Sequence, residues 1–463
     1  MNKELSFKNI FGIWLLAITF LVLHGITISF GTFDRDNIFI YITFFINGAL
    51  WLFLLVKELW ERPYSMKVIY YTFCLFFFYY AGLIQFIAGK FPWIVYRDNE
   101  TVLKSNCLLF LFTISYMFGS QIVSEMKFNH EGIVLKEFDI TNARLAIITL
   151  ISLAVFLNKL RMVGFSGLFS RMTVREAVDY GENSAFSLLI KQLLMALQCM
   201  AALVSLLAAK KDYKKSVFFI LCLGFLACTN PPGMISRYAV ATIYGSIFIL
   251  MFDSFKKNRL FILMFVLAYT ILFPFLNNFR HTDFADVDTM TALGNTIEGI
   301  KTDWLAEDYD AFTTFSLTLD TVAAKGTAMG RQLLGVFFFF VPRDMWPNKP
   351  IGSGAYMGES LGWTFTNVSC PLPGEAYINF GIFGIILFGI GFGFISKLMD
   401  RFYWEKESKV KTKFDILYAI SLMMFFFMLR GDLLSSWAYL ISFALVWALF
   451  TFTLPENLKK KGW

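Results

Sequence analysis

Apolar residues in this chain gather into long stretches separated by short polar joints. The stretches fall near residues 10–30, 38–56, 68–88, 107–123, 145–158, 186–209, 216–229, 235–252, 260–277, 374–396, 414–429 and 437–454. A helix rises about 1.5 Å per residue, so crossing ~30 Å of hydrocarbon takes about 20 apolar residues. The pattern therefore predicts an all-α polytopic membrane protein of about twelve transmembrane helices, the fifth and seventh being short for the task. The first stretch is too long for a signal-peptide core and lacks a small-residue cleavage site, so it is expected to stay as the first span. We find no internal repeat, low-complexity tract or separate soluble domain, and read residues 1–463 as one integral membrane domain.

Residues 278–373 interrupt this rhythm, forming the longest segment between predicted spans. Connectors of that length usually carry function. In its middle, Leu293, Ile297, Ile300, Trp304, Leu305, Phe312, Phe315 and Leu319 recur at mostly helical spacing, which predicts short amphipathic helices on the membrane surface. Further on, Leu333 to Val341 is apolar but too short to span, so it is expected to lie in the interface or to dip in and return. The polar, proline-pinned run Pro342 to Pro350 follows, and Glu375 stands at the mouth of the next predicted span. Charge at such a boundary is costly unless it is used, so this stretch is the expected working site.

Composition agrees with the pattern: 57% of residues are hydrophobic, only 16% are charged, and 56 are Phe. With the N-terminus inside, the short basic joints all fall on one side, among them those holding Lys57 and Arg62, Lys210 to Lys215, and Lys397 to Lys413. The positive-inside rule then places both termini in the cytoplasm and residues 278–373 outside. The net charge of +7 reports topology and contact with the lipid bilayer, not nucleic acid. Five of the 6 cysteines sit in apolar runs, Cys370 being the exception, so no disulfide framework is expected. The 3 histidines are scattered, and neither a metal site nor a cofactor is expected.

Four arginines stand at or just past predicted boundaries on the outer side: Arg237, Arg280, Arg343 and Arg430. A guanidinium keeps its charge in a partly dry site and holds phosphate through two parallel hydrogen bonds, so several together suit a pyrophosphate. The plainer alternative is that each snorkels or pairs with an acid such as Asp344 or Asp432. Glu375 and Asp344 are the candidate bases for taking a proton from a sugar hydroxyl. Against this, Glu375 at a helix start can simply satisfy free backbone N–H groups, and Asp344 can pair with a neighbouring cation. Gly381, Gly384, Gly389, Gly391 and Gly393 fit close helix packing. No nucleotide-binding loop or hydrolase triad appears, so any energy source must arrive with the substrate.

Through Pro342 to Pro350 and Gly374 to Gly384 the chain resembles the Wzy-type O-antigen and capsular polysaccharide polymerases of bacteria. The likeness extends to the number of spans, the long outer loop and the arginine opening the eighth span. The resemblance implies a GT-C-like, metal-independent glycosyltransferase at the outer face of the bacterial cytoplasmic membrane. Donor and acceptor would both be undecaprenyl-pyrophosphate-linked oligosaccharides, with a flippase and a chain-length-regulating co-polymerase as partners. On that reading Arg237, Arg280, Arg343, Arg430 and Lys349 hold the pyrophosphate, and Glu375 or Asp344 activates the acceptor hydroxyl. Trp346, Tyr356, Trp363 and Tyr377 are candidates for stacking on sugars, with interfacial anchoring as their commoner use. An O-antigen ligase-like transferase, a lipid-linked oligosaccharide flippase and a non-enzymatic scaffold are the rival readings; few charges lie in mid-span, which disfavours transport.

Overall fold

The computed structural model describes residues 7–31, 33–126, 138–168, 185–252, 261–272, 275, 289–405 and 411–452. Helix accounts for 81% of the structure, and no strand occurs among the described residues. The predicted stretches fall on helices over their described parts, though the helices that contain 107–123, 145–158 and 374–396 extend eight or nine residues further at one end. The helices are α1 (Phe7–Ser29), α2 (Ile38–Glu61), α3 (Met66–Ala88), α4 (Asn99–Glu125), α5 (Asn142–Gly167), α6 (Ala185–Lys211), α7 (Ser216–Thr229), α8 (Arg237–Met251) and α9 (261–272). The long segment contributes α10 (Thr289–Thr302), α11 (Ala311–Lys325), α12 (Arg331–Phe337) and α13 (Ser353–Ser360). The chain closes with α14 (Leu372–Trp404), α15 (Lys413–Arg430) and α16 (Leu433–Phe452). Among the described residues seven helices are long and apolar enough to cross a membrane, namely α2 to α6, α14 and α16.

Short polar residues start these helices where the pattern requires. Asp98 accepts from the Thr101 N–H at 2.8 Å to open α4, and Ser65 accepts from the Val68 N–H at 3.0 Å to open α3. Thr412 and Asp415 cap α15 reciprocally. Both α3 and α8 contain a π-helical turn, at 74–80 and 241–245, a local widening that frequently accompanies functional sites.

Among the described residues the bundle has two large apolar cores that share α15 and a small third one of Leu317, Met357 and Val368. The first gathers α1 to α4, α11 and α14; the second gathers α5 to α8 and α16. Ile416, Ile420 and Met424 face the second core, while Tyr418, Leu422, Phe425 and Leu429 face the first. Each set recurs every three or four residues, so α15 is apolar nearly all round and sits at the centre.

Glycines on α14 let backbones touch. A Cβ on Gly393 would lie 2.0 Å from the Tyr116 carbonyl oxygen of α4, and one on Gly389 would meet Ser115 and Phe112. Their expected packing role holds, but Gly391 faces open space. Gly393→Ala should therefore lower stability by ~1–3 kcal/mol through overpacking, whereas Gly391→Ala should leave it unchanged or slightly higher. Thermal unfolding of both variants in nanodiscs checks this difference.

Two expectations change. The tenth stretch is not one continuous span: the helix breaks at Phe380 and Gly381, where Gly381 takes φ 60°. The chain turns so sharply there that a Cβ on Gly384 would sit 1.9 Å from the Ala376 carbonyl oxygen. Residues 372–379 thus form a separate buried turn of helix before the span proper. The other change concerns the long segment: α10 leaves Met290, Leu293 and Ile297 exposed as expected of a surface helix, but α11 does not lie on the surface. Ala311 to Leu319 are all buried, with Phe312 packed over Gly82 of α3. The Gln85 side chain donates to the Trp304 and Tyr309 carbonyls and accepts from Thr313. Hydroxyls of Thr314, Ser316, Thr318 and Thr321 bond carbonyls one turn back, which makes so polar a helix buriable.

Candidate functional site

At one end of the bundle α8, α11, α14 and α15 bring together groups that are far apart in sequence. Ser236 caps α8 by accepting from the Ala239 N–H at 3.3 Å, which fixes Arg237 in the first turn. Arg237 bonds Asp308 through both terminal nitrogens, at 2.8 and 2.6 Å, in the forked geometry a guanidinium favours. Its neighbour Tyr238 receives a hydrogen bond from Arg430, the last residue of α15, and its ring lies under that cation at 5.9 Å. Arg430 also donates to the Glu307 carbonyl at 2.8 Å and to Asp310 Oδ1 at 3.1 Å. Two of the four arginines thus meet, and both are paired with acids. The partner of Arg430 is Asp310, not the nearby Asp432.

Asp310 organises this end. It is 1% exposed, and its carboxylate accepts from Arg430, from Ser369 Oγ at 2.8 Å and from the Trp93 indole at 3.1 Å. Burial raises its pKa from the usual carboxylate range, a shift opposed by Arg430, Ser369 and Trp93.

A second carboxylate pair stands beside it. Glu375, 1% exposed on the short 372–379 helix, accepts from Ser353 Oγ at 2.5 Å and from the Leu433 N–H at 2.8 Å. Its carboxylate therefore ties the Ser353 side chain at the start of α13 to the first N–H of α16, and it does not cap the start of its own helix, where no side-chain cap is found. Asp432 accepts from the Ser435 N–H at 3.2 Å and the Gly354 N–H at 3.4 Å, and its pKa is raised by burial. A Cβ on Gly352 would come 2.0 Å from Asp432, so only glycine permits this approach. The buried Cys370 thiol lies among all three acids: its pKa is raised by burial and then by Glu375, Asp432 and Asp310. Tyr377, two residues past Glu375, is 7% exposed in the first apolar core. That position supports packing, not sugar stacking.

The proline-pinned run is arranged differently from expectation. The Lys349 ammonium is buried and donates to the Phe339 and Val341 carbonyls at 2.5 and 2.9 Å, closing the turn after α12. Burial, helped by Arg343, lowers its pKa. Arg343 is exposed and donates to the Lys349 carbonyl at 2.9 Å, while Asp344 is exposed and forms no ion pair among the described residues. Trp346 is half-buried, its ring edge toward Phe338. Nothing links this run directly to Glu375 among the described residues, although Pro350 packs over Gly335 and delivers the chain to Gly352. Arg280 lies outside the described residues. Lys349→Ala should cost ~1–3 kcal/mol by orphaning buried carbonyls, and Arg343→Ala should change stability by less than ~0.5 kcal/mol. Thermal unfolding separates the two.

Sequence reading missed Asp308, Asp310, Ser353 and Ser369. One signal was present: the acidic run Glu307 to Asp310 precedes nine uncharged residues rich in Thr and Phe, as an acidic cap precedes a buried helix. The opposite end of the bundle holds a separate charged network, in which Arg62 bonds Glu405 at 3.0 Å and Asp400 accepts from the Met66 N–H and Tyr418. The 18 residues of α15 separate the ends by roughly 27 Å. Among the described residues no three His, Cys, Asp or Glu side chains are grouped to hold a metal ion. Comparison of the chain with protein-family models, curated proteins and solved structures returned no match.

Proposed function

We propose that this membrane protein is a glycosyltransferase that joins oligosaccharide repeat units carried on undecaprenyl pyrophosphate, at the end of the bundle holding Arg237, Arg430 and Glu375. The observation that carries the reading is the pairing of two boundary arginines with Asp308 and Asp310, with the buried Glu375 and Asp432 on the adjoining helix starts, about a helix length from the charged network at the opposite end. The donor sugar is bonded through its anomeric carbon to the pyrophosphate. A hydroxyl of the acceptor attacks that carbon, the carbon–oxygen bond to pyrophosphate breaks, and undecaprenyl pyrophosphate leaves with the electron pair. The hydroxyl proton passes to a carboxylate, for which Glu375 is the candidate base. Arg237 is half-buried and paired with a half-buried Asp308, so an arriving phosphate can exchange for that carboxylate. Arg430 is held in place by Asp310 and Tyr238 and contributes fixed positive charge to the leaving group.

On this reading the protein is an all-α, GT-C-like enzyme of the bacterial cytoplasmic membrane with about twelve spans, its working end outside and both termini inside. A flippase would deliver repeat units and a co-polymerase would set chain length. The carrier's tail stays in hydrocarbon beside the exposed Leu334, Phe337, Phe338 and Phe340. Proteoliposomes supplied with lipid-linked repeat units, without nucleotide or divalent metal, test the reading. A ladder of lengthening glycans on lipid supports it; movement of unaltered lipid between leaflets without a ladder replaces it by a flippase.

A further inference from the structure

Three aromatic rings stand at the edge of the charged cluster, with Trp93 and Trp363 packed against a small buried core of Leu317, Met357 and Val368 and Phe365 outermost. Trp93 and Phe365 stack at 5.1 Å and 26°, Phe365 and Trp363 at 5.0 Å and 24°, and Trp93 and Trp363 lie 6.0 Å apart. They come from two unrelated segments, the joint between α3 and α4 and the extended stretch between α13 and α14. The Trp93 backbone is held at φ 65° and that of Ile94 at φ 54°, a left-handed conformation that costs ~1–3 kcal/mol in a residue with a side chain. Such a conformation persists where its surroundings over-determine it, and here the Trp93 indole N–H is bonded to Asp310. The same carboxylate accepts from Ser369 and Arg430, so one buried acid ties the rings to the arginine cluster.

We propose that Trp93, Trp363 and Phe365 form a shelf that binds a pyranose ring of the acceptor oligosaccharide. The inference rests on the glycan-transfer reading and adds to it a place for the sugar. The axial C–H groups of a pyranose form an apolar face that packs on flat aromatic surface, while its equatorial hydroxyls need polar neighbours around the rim. The rim here is polar: Thr364, Thr366 and Asn367 are exposed on either side of Phe365, which is itself 42% exposed. A lip of Thr, Thr and Asn is polar enough to favour water over hydrocarbon. The chain runs from this lip to Ser369, which donates to Asp310, so the shelf is joined to the arginine-bearing end through that carboxylate. The rival use of such rings is as an interfacial anchor, and the fully exposed Ile94 beside Trp93 is the feature that speaks for it.

The test is binding of the repeat-unit oligosaccharide, released by mild acid from the cell's lipid-linked pool, to full-length protein in nanodiscs, read by saturation-transfer NMR. Saturable binding that weakens at least tenfold in Phe365→Ala and Trp363→Ala and is restored in Phe365→Tyr supports the shelf. Equal affinity in wild type and the two alanine variants, with unfolding temperatures preserved, overturns it. So does an absence of saturable binding to wild type, or ring emission quenched by brominated lipid with no response to the oligosaccharide. If the oligosaccharide binds through the rings yet no polymer forms, the shelf stands and the proposed transfer falls. If polymer forms and the alanine variants match wild type in acceptor KM, the transfer stands and the shelf falls.

Discussion

Replacing Asp310 by alanine is expected to destabilise the protein by about 3–5 kcal/mol, because it strips a buried cation of its partner. Arg430 would keep its charge in a site where its side chain is 13% exposed, while Trp93 and Ser369 would each lose an acceptor. The loss should appear as a large drop in unfolding temperature and in membrane abundance, together with loss of polymer. Arg430→Met in the same background should recover part of the stability, since an apolar side chain of similar length removes the orphaned charge. Activity should not return with it, because the guanidinium is what the leaving group requires. Thermal unfolding of the single and double variants, compared as a cycle, checks both statements.

Glu375→Gln should do the reverse, leaving the fold intact and removing activity. The amide oxygen can still accept from the Leu433 N–H, and the Ser353 hydroxyl can turn to accept from the amide nitrogen. The variant therefore keeps the two helix starts closed. It loses the capacity to take up a proton, and a positioned general base contributes about 10²–10⁴-fold. A variant that unfolds at the wild-type temperature and yields less than about a hundredth of the wild-type rate is the expected outcome.

What sequence disclosed was what bilayer thickness and local spacing dictate. The helices were legible as apolar runs, seven of them long enough to span among the described residues, and α8 and α15 carried their arginines at ends where a buried charge would be costly. Glu375 was legible for the same reason. The break at Phe380 and Gly381 was not, because a glycine in an apolar helix reads equally well as a packing site, and here Gly389 and Gly393 are packing sites. Nor was the burial of α11 from Ala311 to Leu319: its hydroxyls bond their own backbone, so a stretch that looks amphipathic on the page can sit inside. Asp310 escaped because its partners Trp93, Ser369 and Arg430 are scattered over the chain, and periodicity carries no information about such pairings. Lys349 and Arg343 were placed in the site by proximity in sequence to Glu375, whereas Lys349 closes its own turn.

The central claim is that glycan transfer takes place at the end of the bundle that holds Arg237, Arg430 and Glu375. The most direct measurement is the release of undecaprenyl pyrophosphate by purified protein given one synthetic lipid-linked repeat unit, without nucleotide or added metal. The account predicts one undecaprenyl pyrophosphate released for each new glycosidic bond, and neither product from Glu375→Gln. Intact substrate after incubation with folded wild-type protein, or equal release by wild type and Glu375→Gln, would contradict it.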